Sequence, residues 1–249
     1  MKLKSKIAVA VLAVTAGSAA MAQLSFNAGA VSEYRYRGIA QTALAPALQG
    51  GADYASASGF YVGTWLSQIR WIQEAGVAAG VDASGPVEHD IYGGFKGGIT
   101  SDLTYDVGYL RYQYWGNTNK NIPGAVDANT DEAYGALSYG VYTAKVSYAF
   151  SNLFGYDKSS GSTYTEVAAT YDLGSGLSLV PHIGHQEIAG SANKAYSYDD
   201  FSVTLGKDFG NGWSASLAGI WTDGKTSLYT VNGRKLADPT AVVGVKYTF

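Results

Sequence analysis

Charged side chains recur at alternate positions of one short segment near the start of the chain. Glu33, Arg35 and Arg37 are each two residues apart, so an extended strand would point all three to the same side. Two guanidinium groups on one wall would form a permanently charged stripe, because arginine stays protonated in proteins. A stripe of this kind can orient and select polar solutes that pass along it.

The same period of two predicts further charged side chains on an inner face. In segment 102–115 the interpretation directs Leu110, Tyr112 and Tyr114 outward, which turns Arg111 inward. The predicted selectivity set contains Arg35, Arg37, Arg111 and Lys145 as bases, and Glu33, Asp53, Asp90, Glu132 and Glu166 as acids. Opposed basic and acidic walls would create a transverse field. The alternative is that these charges pair with one another and stiffen or plug the interior.

The sequence gives little support for catalysis or metal binding. Its three histidines are His89, His182 and His185, and none is followed by a recognisable serine motif. His182 and His185 lie on one predicted strand with opposite parity, so they point to opposite faces. With no cysteine, thiolate chemistry is excluded. We predict no catalytic residue, no metal and no cofactor.

The elements that position these residues are predicted to be antiparallel strands. Segments of about ten residues alternate between apolar and polar positions and are separated by Gly, Asn, Asp, Ser and Pro clusters. The chain has 32 glycines and 20 tyrosines among 249 residues, which also favours extended structure with many turns. The predicted strands are 25–38, 46–56, 59–69, 87–97, 102–115, 131–140, 142–151, 163–173, 176–187, 198–209, 212–222 and 239–249.

Short and long connections alternate along the whole predicted sheet. Tight turns such as 140–141 and 210–212 separate longer stretches such as 70–86 and 116–130. Outer-membrane barrels have short periplasmic turns and longer extracellular loops, whereas a soluble β-sandwich gives no reason for this alternation. We therefore predict an all-β fold: a transmembrane, antiparallel, up-and-down β-barrel of about twelve strands, in a single domain from residue 23 to residue 249.

The two faces of the predicted strands fit lipid outside and water inside. In 142–151 the outward set is Ala144, Val146, Tyr148 and Phe150, and the inward set is Thr143, Lys145, Ser147 and Ala149. Aromatic residues near strand ends are predicted to form two interfacial girdles. The girdle candidates are Phe60, Tyr61, Tyr112, Tyr114, Trp115, Tyr139, Tyr142, Phe209, Trp213, Trp221, Tyr247 and Phe249.

Residues 1–22 have the pattern of a cleaved Sec-type signal peptide. Three lysines precede a short apolar stretch, which ends in Ala20-Met21-Ala22. This segment contains three of the 17 basic residues and none of the 20 acidic ones, so the remaining chain has fourteen bases and twenty acids, a net charge of −6. An acidic exported chain is a poor nucleic-acid binder. No later segment is apolar enough to predict a transmembrane helix.

Four segments of the chain resemble the TorF-like porin family of Gram-negative outer membranes. They are SEYRYRGIAQT at 32–42, PALQGGADY at 46–54, GFYVGTW at 59–65 and EHDIYGGF at 88–95. The end of the chain, with Val243, Val245, Tyr247 and Phe249 at alternate positions, resembles the assembly signal of outer-membrane proteins. The resemblance implies an outer-membrane barrel and a solute channel.

We therefore predict a monomeric or trimeric channel in the cell outer membrane for passive diffusion of small polar solutes or ions. Its expected partners are outer-membrane lipids and, during biogenesis, the barrel-assembly machinery and periplasmic chaperones. The alternative is a structural or adhesive barrel with a closed lumen and partner-binding loops. An outer-membrane enzyme would require a serine or aspartate clustered with a histidine at one rim.

Overall fold

Twelve long strands form a closed antiparallel barrel in the computed structural model, which describes residues 23–249. The strands are β1 (Gln23–Val31), β2 (Ala47–Ala55), β3 (Phe60–Gln68), β4 (Val87–Gly98), β5 (Leu103–Trp115), β6 (Thr130–Tyr139), β7 (Tyr142–Ala149), β8 (Thr163–Ala169, continued by Tyr171–Gly174), β9 (Leu177–Glu187), β10 (Tyr198–Gly210), β11 (Trp213–Thr222) and β12 (Thr240–Thr248). The predicted signal peptide at 1–22 lies outside the described residues.

Each strand pairs with its neighbours in sequence, and the first pairs with the last. The closing register runs from Asn27 opposite Thr248 to Val31 opposite Gly244. Closure leaves no edge strand, so every strand is paired on both sides. The predicted fold class is confirmed, and eleven of the predicted strands agree with the observed bounds within about two residues.

The first predicted strand is too long. It ends at Val31 rather than at residue 38, and the chain then leaves the wall and folds into the barrel. Arg35–Tyr36 pairs with Ile39–Ala40 around Arg37 and Gly38, whose φ angles are +48° and +81°. Positive φ at both central residues defines a tight turn that reverses the chain inside the barrel.

Short turns lie at one end of the barrel and long loops at the other. We name the long loops L1 (32–46), L2 (69–86), L3 (116–129), L4 (150–162), L5 (188–197) and L6 (223–239). L2 contains the helix α1 (Trp71–Ala79), which ends at Gly80 with a left-handed φ of +70°. L6 contains a small hairpin, Thr230–Val231 with Arg234–Lys235, and two short 3₁₀ turns lie at Asn119–Asn121 in L3 and Lys194–Tyr196 in L5. No helix within residues 23–249 has the length and apolar character needed to cross a membrane.

The outer surface is apolar, as the alternation predicted. Val146, Val243 and Val245 are exposed on it, and aromatic side chains lie towards both ends of the strands. The exposed aromatics include Phe60, Phe95, Tyr139, Tyr142, Phe209, Trp213 and Phe249 near the short turns, and Trp115, Tyr148, Phe150, Phe201 and Trp221 near the loops. Three predicted girdle residues, Tyr61, Tyr112 and Tyr114, are instead buried in the interior.

Several interior glycines lie beneath tyrosines of adjacent strands. Gly63 lies opposite Tyr92, and Gly108 lies opposite Tyr134. A Cβ atom at Gly63 would come within 2.4 Å of the Tyr92 ring, and one at Gly108 within 2.5 Å of the Tyr134 hydroxyl. The missing side chains thus make room for tyrosines that reach across the interior.

Candidate functional site: a lumen crossed by an inward-folded loop

L1 is fastened to the loop end of the barrel through Arg35. The guanidinium donates to Glu33 Oε1 at 2.7 Å and to the carbonyl oxygen of Gly38 at 2.9 Å. It also donates to the carbonyl oxygens of Leu236 and Asp238 in L6, at 3.0 and 2.9 Å. Because one buried side chain binds both loops, Arg35 ties L1 and L6 together.

Arg37 carries L1 across the lumen to the opposite wall. Its Nη1 and Nη2 donate to Oε1 and Oε2 of Glu132, at 3.0 and 2.7 Å, and Nη1 also donates to Gln186 Oε1 at 2.8 Å. The guanidinium lies 4.3 Å from the ring centroid of Tyr164. Glu132 on β6 and Tyr164 on β8 are each five strands from β1, in opposite directions around the barrel.

Tyrosines complete the barrier that L1 forms. The hydroxyls of Tyr36 and Tyr112 hydrogen-bond to each other, and Tyr112 also donates to Glu132 Oε2 at 3.2 Å. Nearer β1, Tyr34 donates to Glu88 Oε1 at 2.6 Å. Tyr112, Glu88, Glu132 and Gln186 are at most 2% exposed. At this level the lumen is occluded in the structure.

A second polar network lies between this barrier and the short turns. Glu166 contacts Lys145 Nζ at 3.8 Å and His182 Nε2 at 3.1 Å. His182 Nδ1 lies 3.4 Å from Asp200 Oδ1, and Tyr164 donates to Asp200 Oδ2 at 2.8 Å. This part of the wall is therefore lined by ionisable groups that contact one another directly.

The interior has more carboxylates than basic groups. Among residues 23–249, the inward-facing or inward-folded acids are Glu33, Asp53, Glu88, Asp90, Asp106, Glu132, Glu166 and Asp200, and the bases are Arg35, Arg37, Lys96, Lys145 and Lys246, with His182 besides. This set contains eight acidic side chains and five lysines and arginines. Fixed carboxylates in a narrow passage favour cations over anions.

Most of the residues predicted to line the lumen lie inside the barrel. Three of them reach the interior from a loop and not from a strand, as predicted for all of them. Asp53, Asp90, Glu132, Glu166 and Lys145 project inward from strands. Glu33, Arg35 and Arg37 belong to L1, not to the wall. Tyr34 and Tyr36, which an extended strand would point to the side opposite Glu33, Arg35 and Arg37, are turned inward with them.

The predicted inward position of Arg111 is wrong. Leu110, Tyr112 and Tyr114 are buried inside, so Arg111 lies on the outer face, where it pairs with Asp131 at 2.9 Å. Tyr112 packs against L1 and L4 through Tyr36 and Phe154, with ring centroids 5.6 and 5.1 Å away. These contacts need the aromatic face of β5 inside, which reverses the predicted parity.

Several interior charges were missed by the sequence reasoning. Glu88, Lys96, Asp106 and Asp200 were not named, and His182 was considered only as a catalytic or metal candidate. Glu88 and Asp90 are two residues apart on β4, so the inward position predicted for Asp90 also implied an inward position for Glu88. The opposite orientation of His182 and His185 agrees with the structure, where His185 pairs with the exposed Asp199. Within residues 23–249, no three His, Asp or Glu side chains are grouped to hold a metal ion.

The C-terminal residues form part of the barrel closure. Val243 and Val245 project outward from β12, and Phe249 stacks on Phe26 with ring centroids 5.8 Å apart. The backbone N–H of Phe26 donates to Phe249 O, and that of Phe249 donates to Phe26 O, both at 2.9 Å. Phe249 thus joins the first and last strands through its ring and its backbone.

A family model described as "Bacterial protein of unknown function (Gcw_chp)" matches residues 15–249. The description of this family does not mention the TorF-like porins that the sequence resembles. No curated protein matches the chain. Solved structures that resemble it include NanC porin, with a TM-score of 0.58, 10% identity and coverage of 91% of this chain and 99% of that one. KdgM porin has a TM-score of 0.56, 10% identity and coverage of 90% and 99%. KdgM porin in complex with disordered oligogalacturonate has a TM-score of 0.55 at 9% identity, with coverage of 91% and 98%. These likenesses show that the chain shares the barrel fold of these structures.

Proposed function

We propose that this chain, which belongs to the Gcw_chp family of bacterial proteins of unknown function, is an outer-membrane channel for passive diffusion of small polar solutes or ions. The observation that carries this proposal is a polar, charged interior inside an apolar outer surface. Such an arrangement suits lipid outside and an aqueous path inside. The sequence resemblance to TorF-like porins points to the same function and stays a prediction.

We also propose the route and setting of the protein. Residues 1–22 would direct export and be removed, and Val243, Val245, Tyr247 and Phe249 would be read by the barrel-assembly machinery after delivery by periplasmic chaperones. The short turns, together with residues 23 and 249, would then face the periplasm, and L1 to L6 the outside. Outer-membrane lipids would contact the apolar surface. A monomer and a trimer remain open alternatives.

L1 would set the size and the opening of the channel. The path is occluded where Arg37 binds Glu132 and Gln186, so solutes pass when this segment shifts from the wall. Transport down a gradient needs no cofactor and no energy source.

The excess of interior carboxylates would favour neutral solutes and cations. One structure with the same fold, KdgM porin, is in complex with oligogalacturonate, which is a polyanion. We expect this chain to exclude polyanions, because Glu166 and Asp200 lie in the part of the lumen that they would have to cross. Arg37 and Lys145 would tune this preference rather than reverse it.

A closed structural or adhesive barrel is the second candidate, and the buried Arg37–Glu132 pair is the observation that favours it. Buried ion pairs hold their partners firmly when every hydrogen bond is made. An enzyme is less well supported, because the buried His182 makes its side-chain contacts with Glu166, Asp200 and Tyr164 rather than with a serine. We propose no catalytic activity.

Liposome swelling distinguishes the channel from the closed barrel. The protein without residues 1–22 is refolded into liposomes, and folding is checked by the shift in gel mobility on heating. We expect swelling with neutral monosaccharides and slower entry of anionic ones. Swelling no faster than in empty liposomes, both for the unaltered protein and for Glu132→Gln, would replace the channel with the structural or adhesive barrel.

A further inference from the structure

A large cavity opens at the loop end of the barrel, above the barrier formed by L1. Its volume is 1010 Å³, and it is lined by residues of L1 to L6 together with the upper ends of several strands. We call it the vestibule. Small-molecule sites occupy about 300–1,000 Å³, so the vestibule is large enough for a ligand of several rings.

Aromatic side chains form two walls of the vestibule. On one wall the ring centroids of Tyr156 and Tyr196 are 5.0 Å apart, those of Tyr196 and Tyr229 are 6.1 Å apart, and those of Tyr229 and Tyr198 are 5.5 Å apart. On the other wall Trp71 packs edge-on against Tyr114 at 5.5 Å. Tyr114, Tyr198 and Tyr229 are buried and hold the half-buried rings of Trp71, Tyr156 and Tyr196 in place, so the surface is preformed for a ligand.

The vestibule is nearly neutral. Among its lining residues the charged ones are Arg37, Asp157 and Lys158, and Arg37 is already bound by Glu132. Burial raises the pKa of Tyr156 and of Tyr229 well above that of an ordinary phenol, so both hydroxyls stay neutral. A charged ligand would therefore find little compensation at this site.

Polar groups accompany the rings and could orient a ligand. The amides of Gln41, Asn119 and Asn193 lie at the wall, and each also binds a backbone carbonyl of the protein. The indole N–H of Trp71 is buried and has no hydrogen-bond partner within the described part of the chain.

We infer that the vestibule binds a neutral saccharide of two or three rings. The C–H groups on the face of a sugar ring carry partial positive charge and pack against electron-rich aromatic faces. The hydroxyls of the sugar match the phenols and amides between the walls. The inference rests on the proposed function in one respect only: such a ligand would be the solute collected at the channel entrance.

Calorimetry on the folded protein tests this binding without transport. The protein without residues 1–22 is held in a polyoxyethylene detergent, because sugar detergents would compete for the site. Maltotriose is the neutral probe and trigalacturonate is the anionic probe of equal ring number. We expect saturable binding of maltotriose, and binding of trigalacturonate about tenfold weaker or less.

Three substitutions locate the binding site. Tyr196→Ala is expected to weaken maltotriose binding by about tenfold, because one stacking surface is lost, whereas Tyr196→Phe keeps the ring and the affinity. Trp71→Ala tests the opposite wall in case Tyr196→Ala does not fold. Tyr148→Ala is the control, since Tyr148 is exposed on the outer surface, and it should bind normally.

The possible outcomes separate the inference from the proposed function. Absence of maltotriose binding, equal binding of both probes, or normal binding by both alanine variants of the walls would overturn the saccharide site. Binding of an apolar aromatic probe such as naphthalene without binding of maltotriose would do the same. Saturable maltotriose binding by a folded barrel that shows no conductance would support the saccharide site and contradict the proposed channel function.

Discussion

Arg37 and Glu132 face each other across the interior, with Nη1–Oε1 and Nη2–Oε2 distances of 3.0 and 2.7 Å. The arginine belongs to a loop that follows β1, and the glutamate belongs to a strand five positions away in the sheet. Their side chains are 5% and 2% exposed. This pair is the strongest contact between L1 and the far wall, so it is the place to test whether L1 controls the lumen.

Glu132→Gln is expected to loosen L1 and to destabilise the protein. The substitution leaves a buried guanidinium without its carboxylate, and breaking one side of a buried pair costs about 3–5 kcal/mol. We expect a higher mean conductance and a lower temperature for the heat-induced gel shift. Asp131→Asn is the matched control, because Asp131 is the adjacent residue on the outer face and pairs with the more exposed Arg111. Equal behaviour of the two variants would count against a clamping role for Glu132.

Arg35→Met is expected to free L6. Arg35 donates to the carbonyl oxygens of Leu236 and Asp238, and charge-assisted bonds of this kind contribute about 1.5–3 kcal/mol each. Limited trypsin digestion should therefore cut L6 after Lys225, Arg234 or Lys235 faster in the variant. Arg70→Met removes an exposed arginine of L2 and should leave the L6 cleavage rate unchanged. Unchanged cleavage in both proteins would contradict the link between L1 and L6.

The strand pattern was sufficient to predict most of the barrel. In β7 the two faces differ clearly, with Ala144, Val146 and Tyr148 on one and Lys145 and Ser147 on the other, and the structure has the same faces. Alternation is reliable here because lipid and water impose opposite demands on neighbouring residues. The predicted ends of the strands followed from glycine and asparagine turns.

Two features could not be predicted because they depend on contacts distant in sequence. L1 begins as a regular alternation, and its departure from the wall is stabilised by Glu132 and Gln186, which are far along the chain. In β5 both faces carry tyrosines, with Tyr109 outside and Tyr112 inside. Alternation with a period of two therefore divides the residues of a strand between its two faces, but it does not decide which face is inside the barrel. The predicted inward position of Arg111 was wrong for that reason.

Gly184→Ala is expected to destabilise the barrel. A Cβ atom there would lie 2.0 Å from the Tyr164 hydroxyl and 2.8 Å from Asp200 Oδ2, both of which belong to the interior network. Overpacking of this kind costs about 1–3 kcal/mol. Gly135→Ala is the control, since the nearest atom to its Cβ would be 4.0 Å away. Urea unfolding of both variants in detergent measures the difference, and equal midpoints would mean that Tyr164 moves aside without cost.

The balance of interior charge predicts cation preference. The double variant Asp106→Asn with Glu166→Gln removes two carboxylates from the lower lumen, so the reversal potential in a KCl gradient should move towards zero or towards anion preference. Asp199→Asn is the control, because Asp199 lies on the outer face beside His185. An equal shift in the control, or anion preference in the unaltered protein, would refute this electrostatic account.

Single-channel conductance in a planar bilayer tests the central claim most directly. The refolded protein, shown to be folded by its heat-dependent gel mobility, is recorded beside Glu132→Gln under the same salt conditions. The account predicts discrete steps with cation preference, and a larger or longer-lived open level in Glu132→Gln. A folded barrel that gives no steps in either protein would contradict it, and the lumen would then be a closed structural core.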